Sequence, residues 1–304
     1  MKVFIQLIAR RLCRIFPRML TLLHYLPNNI VVNYDSSPSA IKKVFKGLCT
    51  YLARYSLVKK SIERQVKYIH SSTPPFSMLL EISEYTQCGY YFYIPNQLFI
   101  ERILEGGDIF LDIGANVGIF SLIASRRFRT VYSFEPTPDT CRYFRRNIDI
   151  SGVDNVHLFP LALSDKSGEM TLYSNPLNSG GNSLQPFPEE FLRFNSITEP
   201  QKWVVEISTL DKIVFDCQMQ QLDLIKIDVE GHECNVVVGA KRTIERFKPD
   251  LFIEVSSFEN FVSICRELPE CYKAIDLQSR CMFQPEAVDW NEANVLFTAK
   301  SSLM

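Results

Sequence analysis

The sequence predicts an α/β fold with a parallel, doubly wound sheet, and two observations support this prediction. From residue 108 onward, short apolar runs that suit buried parallel strands alternate with segments of helical spacing. Residues 108–118 form the first unit, in which an apolar strand ends in a glycine-bearing turn that leads into a helix. Gly114 and Gly118 let the backbone turn sharply and let a ligand approach it closely.

The other elements are predicted from the same alternation. The predicted strands are residues 78–82, 90–94, 130–134, 156–161, 170–173, 203–207, 222–227, 251–255, 272–277 and 294–299. The predicted helices are residues 96–104, 119–124, 138–148, 209–214, 236–247 and 258–268. The strand at 203–207 is expected to pair with the strand at 170–173. Residues 174–202 remain as a polar loop, and loops of this length are usually functional or disordered.

A basic helical extension is predicted for residues 1–75, and the α/β domain for residues 76–304. The extension carries 13 Lys and Arg residues against only Asp35 and Glu63, whereas the whole chain has a net charge of −1. Residues 71–75, Ser-Ser-Thr-Pro-Pro, indicate a turn or linker at the domain boundary.

The extension contains two amphipathic regions, residues 2–24 and residues 39–69, whose apolar side chains recur at spacings of three and four. Residues 2–24 either lie on an anionic membrane surface or pack their apolar face on the rest of the protein. Nucleic-acid binding by residues 39–69 is disfavoured, because the region lacks aromatic residues interleaved with glycine as a stacking platform. A non-catalytic module that binds membrane or nucleic acid through residues 1–69 is one alternative function.

The cysteine pattern indicates a reducing compartment. Nine cysteines are scattered along the chain without a CxxC pair, which argues against a disulfide framework and against a zinc site. Four arginines interrupt the apolar N-terminus before any run reaches the roughly 18 residues of a membrane span. The sequence therefore predicts a soluble, cytoplasmic protein, with peripheral membrane contact as the role left open for residues 1–24.

The glycine turn discriminates between two kinds of adenosine ligand. A dinucleotide fingerprint, G-x-G-x-x-G, would place glycine at positions 116 and 119, where this chain has Asn116 and Ile119. A pyrophosphate therefore fits poorly, which disfavours a nicotinamide-dependent oxidoreductase, the alternative enzyme. The pattern Asp-x-Gly-x-Asn-x-Gly at 112–118 is instead a variant of the acid-x-Gly-x-Gly-x-Gly turn of S-adenosylmethionine-dependent methyltransferases.

Glu135, at the end of the next strand, supports an adenosine ligand of either kind. It follows Gly114 by 21 residues, and a carboxylate at this point can accept hydrogen bonds from both ribose hydroxyls. Ala162 and Leu163, at the end of the third strand, are placed to flank the adenine. Plain core packing is the alternative explanation for these two residues.

Seven motifs resemble the FkbM family of methyltransferases in content and order, over roughly residues 90–260. The motifs are FLDIGANVGIFSL (110–122), SFEP (133–136), LALSD (161–165), SGGNSL (179–184), STLD (208–211), LIKIDVEGHE (224–233) and FIEV (252–255). The resemblance implies a seven-stranded, Rossmann-like (class I) methyltransferase fold and S-adenosylmethionine as methyl donor. It also implies a hydroxyl acceptor on a small molecule, such as a sugar or secondary metabolite, or on a glycan.

Carried over to this chain, the resemblance assigns the donor to two places. Glu135 would bind the ribose, and the glycine turn would hold the methionine part. The turn residues assigned in this way are Asp112, Gly114, Asn116 and Gly118.

Methyl transfer also needs a base or an orienting group beside the acceptor hydroxyl. The candidates are Asp228, Glu230 and His232, which follow the fourth core strand, because ligands of parallel sheets bind at the carboxyl ends of strands. His232 has an alternative role as a helix-start residue that bonds backbone, and Lys226 is expected to form an ion pair. No metal is assigned, although Asp228, Glu230 and Glu254 offer oxygen ligands for Mg²⁺ as an alternative.

Overall fold

The computed structural model describes residues 30–33, 63–70, 73–81, 97–175, 179–194, 197–276, 281–285 and 293–300. The first strands, in chain order, are β1 (Ile30–Asn33), β2 (Glu63–His70), β3 (Thr73–Glu81), β4 (Gly107–Ile113), β5 (Phe128–Phe134), β6 (Val156–Phe159) and β7 (Ala162–Leu163). The later strands are β8 (Gly168–Tyr173), β9 (Lys202–Ser208), β10 (Leu224–Ile227), β11 (Asp250–Val255), β12 (Lys273–Asp276), β13 (Cys281–Met282) and β14 (Ala293–Thr298). The helices are α1 (Gln97–Leu104), α2 (Ile119–Ala124), α3 (Pro138–Ser151), α4 (Glu189–Phe194), α5 (Leu210–Asp216), α6 (Glu233–Val238), α7 (Lys241–Phe247) and α8 (Phe258–Glu267).

An eight-stranded sheet forms the centre of the described structure, in the order β13-β12-β14-β11-β10-β4-β5-β6. Strands β4, β5, β6, β10 and β11 pair in parallel, whereas β14 is antiparallel to both β11 and β12. This confirms the predicted seven-stranded Rossmann-like fold, to which the two-residue strand β13 adds an antiparallel edge. The sheet is therefore mostly parallel, and not parallel throughout as the alternation of elements predicts.

The central strands are buried on both faces, which explains their nearly continuous apolar sequences. All four residues of β10 are buried. On one face Phe99 of α1 stacks on Phe252 of β11, with ring centroids 3.9 Å apart. On the other face Val237 and Ile264, from α6 and α8, belong to the same core cluster as Ile225. This packing fixes the carboxyl ends of the strands, where the polar side chains described below lie.

A second, smaller sheet has the order β7-β9-β8. β8 and β9 pair antiparallel from Gly168↔Ile207 to Tyr173↔Lys202, which confirms the predicted pairing of these two segments. The segment between them is not a structureless loop in its described residues. It contains a 3₁₀ turn at Ser179–Gly181, an antiparallel bridge between Tyr173 and Ser183, and helix α4.

The prediction of helix for residues 39–69 is wrong where the structure describes this region, because residues 63–69 lie in β2. Val66 and Tyr68 are buried and Lys67 is exposed, which is the period-two pattern of a strand. The predicted linker at 71–75 is also wrong at its end, since Thr73 begins β3, which pairs antiparallel with β2.

The β2–β3 hairpin packs on α3 and so joins part of the predicted extension to the α/β domain. The Leu79 N–H donates to Asn147 Oδ1 at 2.7 Å, and Ser151 Oγ donates to the Ser77 carbonyl at 2.6 Å. The predicted helix at 2–24 and the predicted strand at 90–94 lie outside the described residues. No helix among the described residues is long and apolar enough to cross a lipid bilayer.

The predicted helix at 236–247 is two helices, α6 and α7, separated at Gly239 and Ala240. A Cβ on Gly239 would lie 2.0 Å from the carbonyl oxygen of Ser164. The break therefore occurs where the end of β7 approaches the helix backbone closely, a contact that only glycine permits at this distance.

Candidate active site

The turn at residues 112–118 depends on both of its glycines. Gly114 has φ +77°, and a Cβ there would lie 1.8 Å from the Asp228 carbonyl oxygen. Gly118 has φ +90°, and a Cβ there would lie 2.1 Å from the Phe144 ring. The first glycine thus lets the ends of β4 and β10 come together, and the second lets α2 pack on α3. A side chain at either position would displace the turn.

Asn116 occupies the position where the dinucleotide fingerprint has its second glycine. Its φ is +49°, in the left-handed region that asparagine tolerates better than most residues. Its side-chain Oδ1 accepts a hydrogen bond from the Val117 N–H at 2.7 Å, and its own N–H donates to Glu135 Oε2 at 3.0 Å. Asparagine therefore supplies the turn conformation of a glycine and also links the turn to the end of β5.

The Glu135 carboxylate is buried and held by backbone donors on both oxygens. Oε2 accepts from Asn116, and Oε1 accepts from the Thr137 N–H at 2.8 Å. Burial raises the pKa of Glu135, and the hydrogen bonds from Thr137 and Asn116 partly offset that effect. Each oxygen retains a lone pair beyond these bonds. The carboxylate can therefore accept two hydroxyl donors in a fixed orientation.

Asp112, the last acidic residue of β4, is fully buried. Its Oδ2 accepts a hydrogen bond from Ser121 Oγ at 2.5 Å, whereas its Oδ1 has no hydrogen-bond partner. Lys226 Nζ lies 3.7 Å from that Oδ1. Burial raises the pKa of Asp112, an effect that Lys226 and Ser121 partly offset. The charge of Lys226, and not a hydrogen bond, therefore balances this oxygen.

Lys226 is only 2% exposed and joins the turn to the end of β10. Its Nζ lies 3.0 Å from Asp228 Oδ2 and donates to the Gly114 carbonyl at 3.3 Å. Burial by itself lowers the pKa of Lys226, but Asp228 and Asp112 outweigh burial and leave the pKa above its ordinary value. The ion-pair role predicted for this lysine is confirmed by these contacts.

Asp228 and Glu254 lie at the carboxyl ends of the neighbouring strands β10 and β11. The Asp228 side chain is 29% exposed, so a ligand can reach it. The negative charge of Asp228, together with burial, raises the pKa of Glu254 to about 9. We therefore expect Glu254 to keep its proton at neutral pH and to share it with Asp228. The sequence assigned Glu254 only to an alternative metal site, and this pairing is visible only in the structure.

Glu230 is exposed, and the backbone at Glu230 and Gly231 is left-handed, with φ +54° and +94°. Glu233 holds this turn from below, because its Oε1 accepts from the Gly231 N–H at 2.9 Å and from the Val229 N–H at 3.3 Å. Its Oε2 accepts from Asn260 Nδ2 at 2.7 Å. Sequence reasoning missed Glu233, although an acidic residue in the first turn of a helix is a recognisable signal.

His232 is buried, and its Nε2 lies 2.8 Å from Ser164 Oγ. Ser164 Oγ also donates to Asp165 Oδ1 at 2.9 Å. Because a carboxylate can only accept, the serine proton goes to Asp165, and His232 Nε2–H must donate to the serine oxygen. Burial lowers the pKa of His232, which favours the neutral ring. His232 thus lies at the start of α6 as the alternative role predicts, but it bonds a side chain and not backbone.

Ala162 and Leu163 are both buried in β7, which pairs with β9 in the smaller sheet. Leu163 belongs to the same core cluster as Phe134, at the end of β5. The adenine-flanking role of these two residues stays a prediction. As for the Mg²⁺ alternative, no group of three or more His, Cys, Asp and Glu side chains in the described ranges is arranged to hold a metal ion.

Comparison with known proteins gives a consistent set of relatives. The family model described as the methyltransferase FkbM domain matches residues 112–285. The chain is 29% identical over 163 residues to the 2-O-methyltransferase NoeI of Sinorhizobium fredii, covering 48% of this chain and 63% of that protein. It is 25% identical over 141 residues to the hexuronic acid methyltransferase AglP of Haloferax volcanii, covering 46% of this chain and 53% of that protein.

A solved structure of the methyltransferase FkbM from Methylobacillus flagellatus shares 14% identity with this chain. The match covers 95% of this chain and 60% of that chain, with a TM-score of 0.41. The chain spans less than two thirds of the length of the two curated relatives named above.

Proposed function

The chain belongs to the FkbM methyltransferase family, and we propose that it transfers the methyl group of S-adenosylmethionine to a hydroxyl group of a sugar, glycan or secondary metabolite. One observation carries the proposal. The turn at 112–118 and the Glu135 carboxylate form one hydrogen-bonded unit, with two glycines at which a Cβ would clash with neighbouring elements. That unit suits an adenosine with an amino-acid tail and lacks the second glycine that a pyrophosphate requires.

The residues present fit the donor. Glu135 would accept hydrogen bonds from the ribose hydroxyls, because both of its oxygens are held by backbone donors and retain lone pairs. The turn residues Asp112, Gly114, Asn116 and Gly118 would hold the methionine part. Asp112 would do so through the turn, because its own carboxylate is buried and paired with Lys226 at 3.7 Å. Ala162 and Leu163 would flank the adenine.

S-adenosylmethionine, when bound, supplies an electrophilic methyl group on a positively charged sulfur. The role of the protein is to orient the acceptor oxygen toward that group, which can contribute several kcal/mol and up to roughly 7–11 kcal/mol in ideal cases. Asp228 is the first candidate for this task, because it is accessible and its position is fixed by Lys226 at 3.0 Å. It would accept the acceptor hydroxyl proton or orient that hydroxyl. Glu230 and His232 remain further candidates.

The charge of the acceptor side favours uncharged hydroxyl groups. Asp228 and Glu230 are carboxylates, which accept hydrogen bonds from hydroxyls and repel anions. The cation beside them, Lys226, is buried and already bound to Asp228, Asp112 and the Gly114 carbonyl. One relative, AglP, is named as a hexuronic acid methyltransferase, whereas the contacts here support a neutral sugar hydroxyl as the acceptor.

The test uses binding and transfer in parallel. Calorimetric titration with S-adenosylhomocysteine and with NADH should give heat only for the first ligand. In a second assay, the protein is incubated with tritiated S-adenosylmethionine and a panel of methyl glycosides, neutral sugars and uronates. The label should appear in the neutral acceptors and not in the uronates. Binding of NADH in place of S-adenosylhomocysteine would contradict the proposal and favour the oxidoreductase alternative. The cytoplasmic location and the membrane contact of residues 1–24 stay predictions.

A further inference from the structure

Residues 182–185, here called the clamp segment, connect the donor side of the site to the acceptor side. The segment is anchored to β8, because Ser183 and Tyr173 exchange two backbone hydrogen bonds, at 2.8 and 3.1 Å. On the donor side Asn182 Nδ2 donates to Thr137 Oγ1 at 3.1 Å. The N–H of the same threonine donates to the Glu135 carboxylate. A polar connection therefore runs from the predicted ribose-binding residue to this segment.

On the acceptor side the clamp segment holds the carbonyl groups of the left-handed turn after β10. Ser183 Oγ donates to the Glu230 carbonyl at 2.8 Å, and Gln185 Nε2 donates to the Gly231 carbonyl at 2.8 Å. Ser183 Oγ also accepts a hydrogen bond from the Gln185 N–H at 3.0 Å. This buried hydroxyl therefore donates one hydrogen bond and accepts another. The contacts are directional, which distinguishes them from simple packing.

Both the N–H groups and the carbonyl groups of the turn are thus hydrogen-bonded to side chains. Glu233 binds its N–H groups, and the clamp segment binds its carbonyl groups. A left-handed conformation at Glu230, a residue with a Cβ, persists only when its surroundings enforce it. Asp228 begins this turn, and its accessible carboxylate is the group that would meet the acceptor. The contacts of Ser183, Gln185 and Glu233 with residues 229–231 therefore add to the contact with Lys226 in setting the position of Asp228.

We infer that Ser183, assisted by Gln185, is a positioning residue for methyl transfer. Its hydrogen bond holds the turn at 228–231 in the conformation that faces the acceptor. The inference depends on the proposed function for its kinetic consequence. Its structural consequence, the rigidity of the turn, can be measured without an acceptor. Ser183 would act through the turn and not by touching either substrate.

The experiment compares Ser183→Ala with Ser263→Ala in the full chain. Ser263 is a matched control, because its hydroxyl also donates to a backbone carbonyl at 2.8 Å, on α8 away from this turn. Ser183→Ala should lower kcat about 10- to 100-fold on a neutral methyl glycoside, as expected for a displaced reacting group. The dissociation constant for S-adenosylhomocysteine and the acceptor KM should change less than about twofold. Ser183→Thr, which retains the hydroxyl, should recover part of kcat.

Hydrogen exchange provides the second measurement. The amides of Val229 and Gly231 should exchange about tenfold faster in Ser183→Ala than in the wild type. In Ser263→Ala their exchange rates should equal those of the wild type. A kcat equal to that of the control, or a loss of donor binding as large as the loss of kcat, would overturn the inference. If the wild type binds the donor product but labels no glycoside, the proposed function fails instead. Unchanged exchange at Val229 and Gly231 would then overturn the positioning role independently.

Discussion

The N–H of Asn116 donates to Glu135 Oε2 at 3.0 Å, and this bond ties the turn after β4 to the end of β5. The residue that replaces a glycine in the turn is therefore the same residue that fixes the carboxylate. One hydrogen bond makes the two halves of the predicted donor site a single unit. Four predictions test this unit and the charged and titratable groups beside it.

Glu135→Gln should weaken S-adenosylhomocysteine binding by about 10-fold or more, because an amide NH₂ replaces an oxygen that must accept a hydrogen bond. Isothermal titration calorimetry measures the effect. Glu169→Gln, a change at an exposed residue of β8, serves as the control and should leave the affinity unchanged. Equal affinity of the Glu135 variant and the wild type would rule out the ribose assignment.

Lys226→Met should reduce the free energy of unfolding by about 3–5 kcal/mol, because the change leaves the Asp112 and Asp228 carboxylates without their shared cation. Urea denaturation measures this quantity. Lys212→Met removes a lysine of similar length from an exposed pair with Asp216 and should have little effect. Adding Asp228→Asn to Lys226→Met should restore part of the lost stability, and a purely additive loss would argue against the coupling.

Glu254→Gln should become progressively more stable relative to the wild type as pH rises. The pKa of Glu254 is raised from 4.5 to about 9 in the folded protein, so the folded state binds a proton that the unfolded state has lost. Wild-type stability from this group is therefore complete below pH 4.5 and falls as pH approaches 9. Glutamine carries no such proton.

Chemical denaturation at several pH values between 5 and 9 measures the difference in unfolding free energy between Glu254→Gln and the wild type. The same comparison with Gln221→Asn, a change at an exposed residue without a titratable side chain, should give a difference that does not change with pH. A pH-independent difference for Glu254→Gln would mean that the proton shared with Asp228 does not exist.

His232 should stay neutral below its ordinary pKa of 6.5, with the proton on Nε2, because burial disfavours the charged ring and Ser164 accepts from that nitrogen. Since the folded pKa is depressed, this group contributes stability above pH 6.5 that is lost as pH falls through that range. Nitrogen-15 NMR of the His232 imidazole ring measures both its tautomer and its titration.

Ser164→Ala provides the matching change, because it removes the acceptor of the His232 proton without touching the ring. It should mix the two neutral tautomers of His232. A ring that titrates at pH 6.5 or above in the wild type would contradict the buried assignment and would strengthen a direct acid–base role for His232.

The glycine turn and the sheet could be predicted from sequence because their signals are local. Strand, turn and helix follow one another within residues 107–124, and each is recognisable from spacing and glycine placement. The error at residues 63–69 has a related cause. A basic segment with apolar residues supports both a helical and an alternating interpretation, and its antiparallel pairing with β3 places it in strand β2.

The sequence by itself determined the α/β architecture, and it predicted the donor turn with Glu135 and the acidic segment after β10 as the acceptor side. Only the tertiary structure decided which polar groups meet there. Ser164 and His232 are 68 residues apart in the chain, and Ser183 and Glu230 are 47 apart. Periodicity reports which side of an element is buried, whereas a hydrogen-bond partner depends on how two distant elements pack. For that reason the contact of His232 with Ser164 and the contacts of the clamp segment with the turn were absent from any sequence pattern.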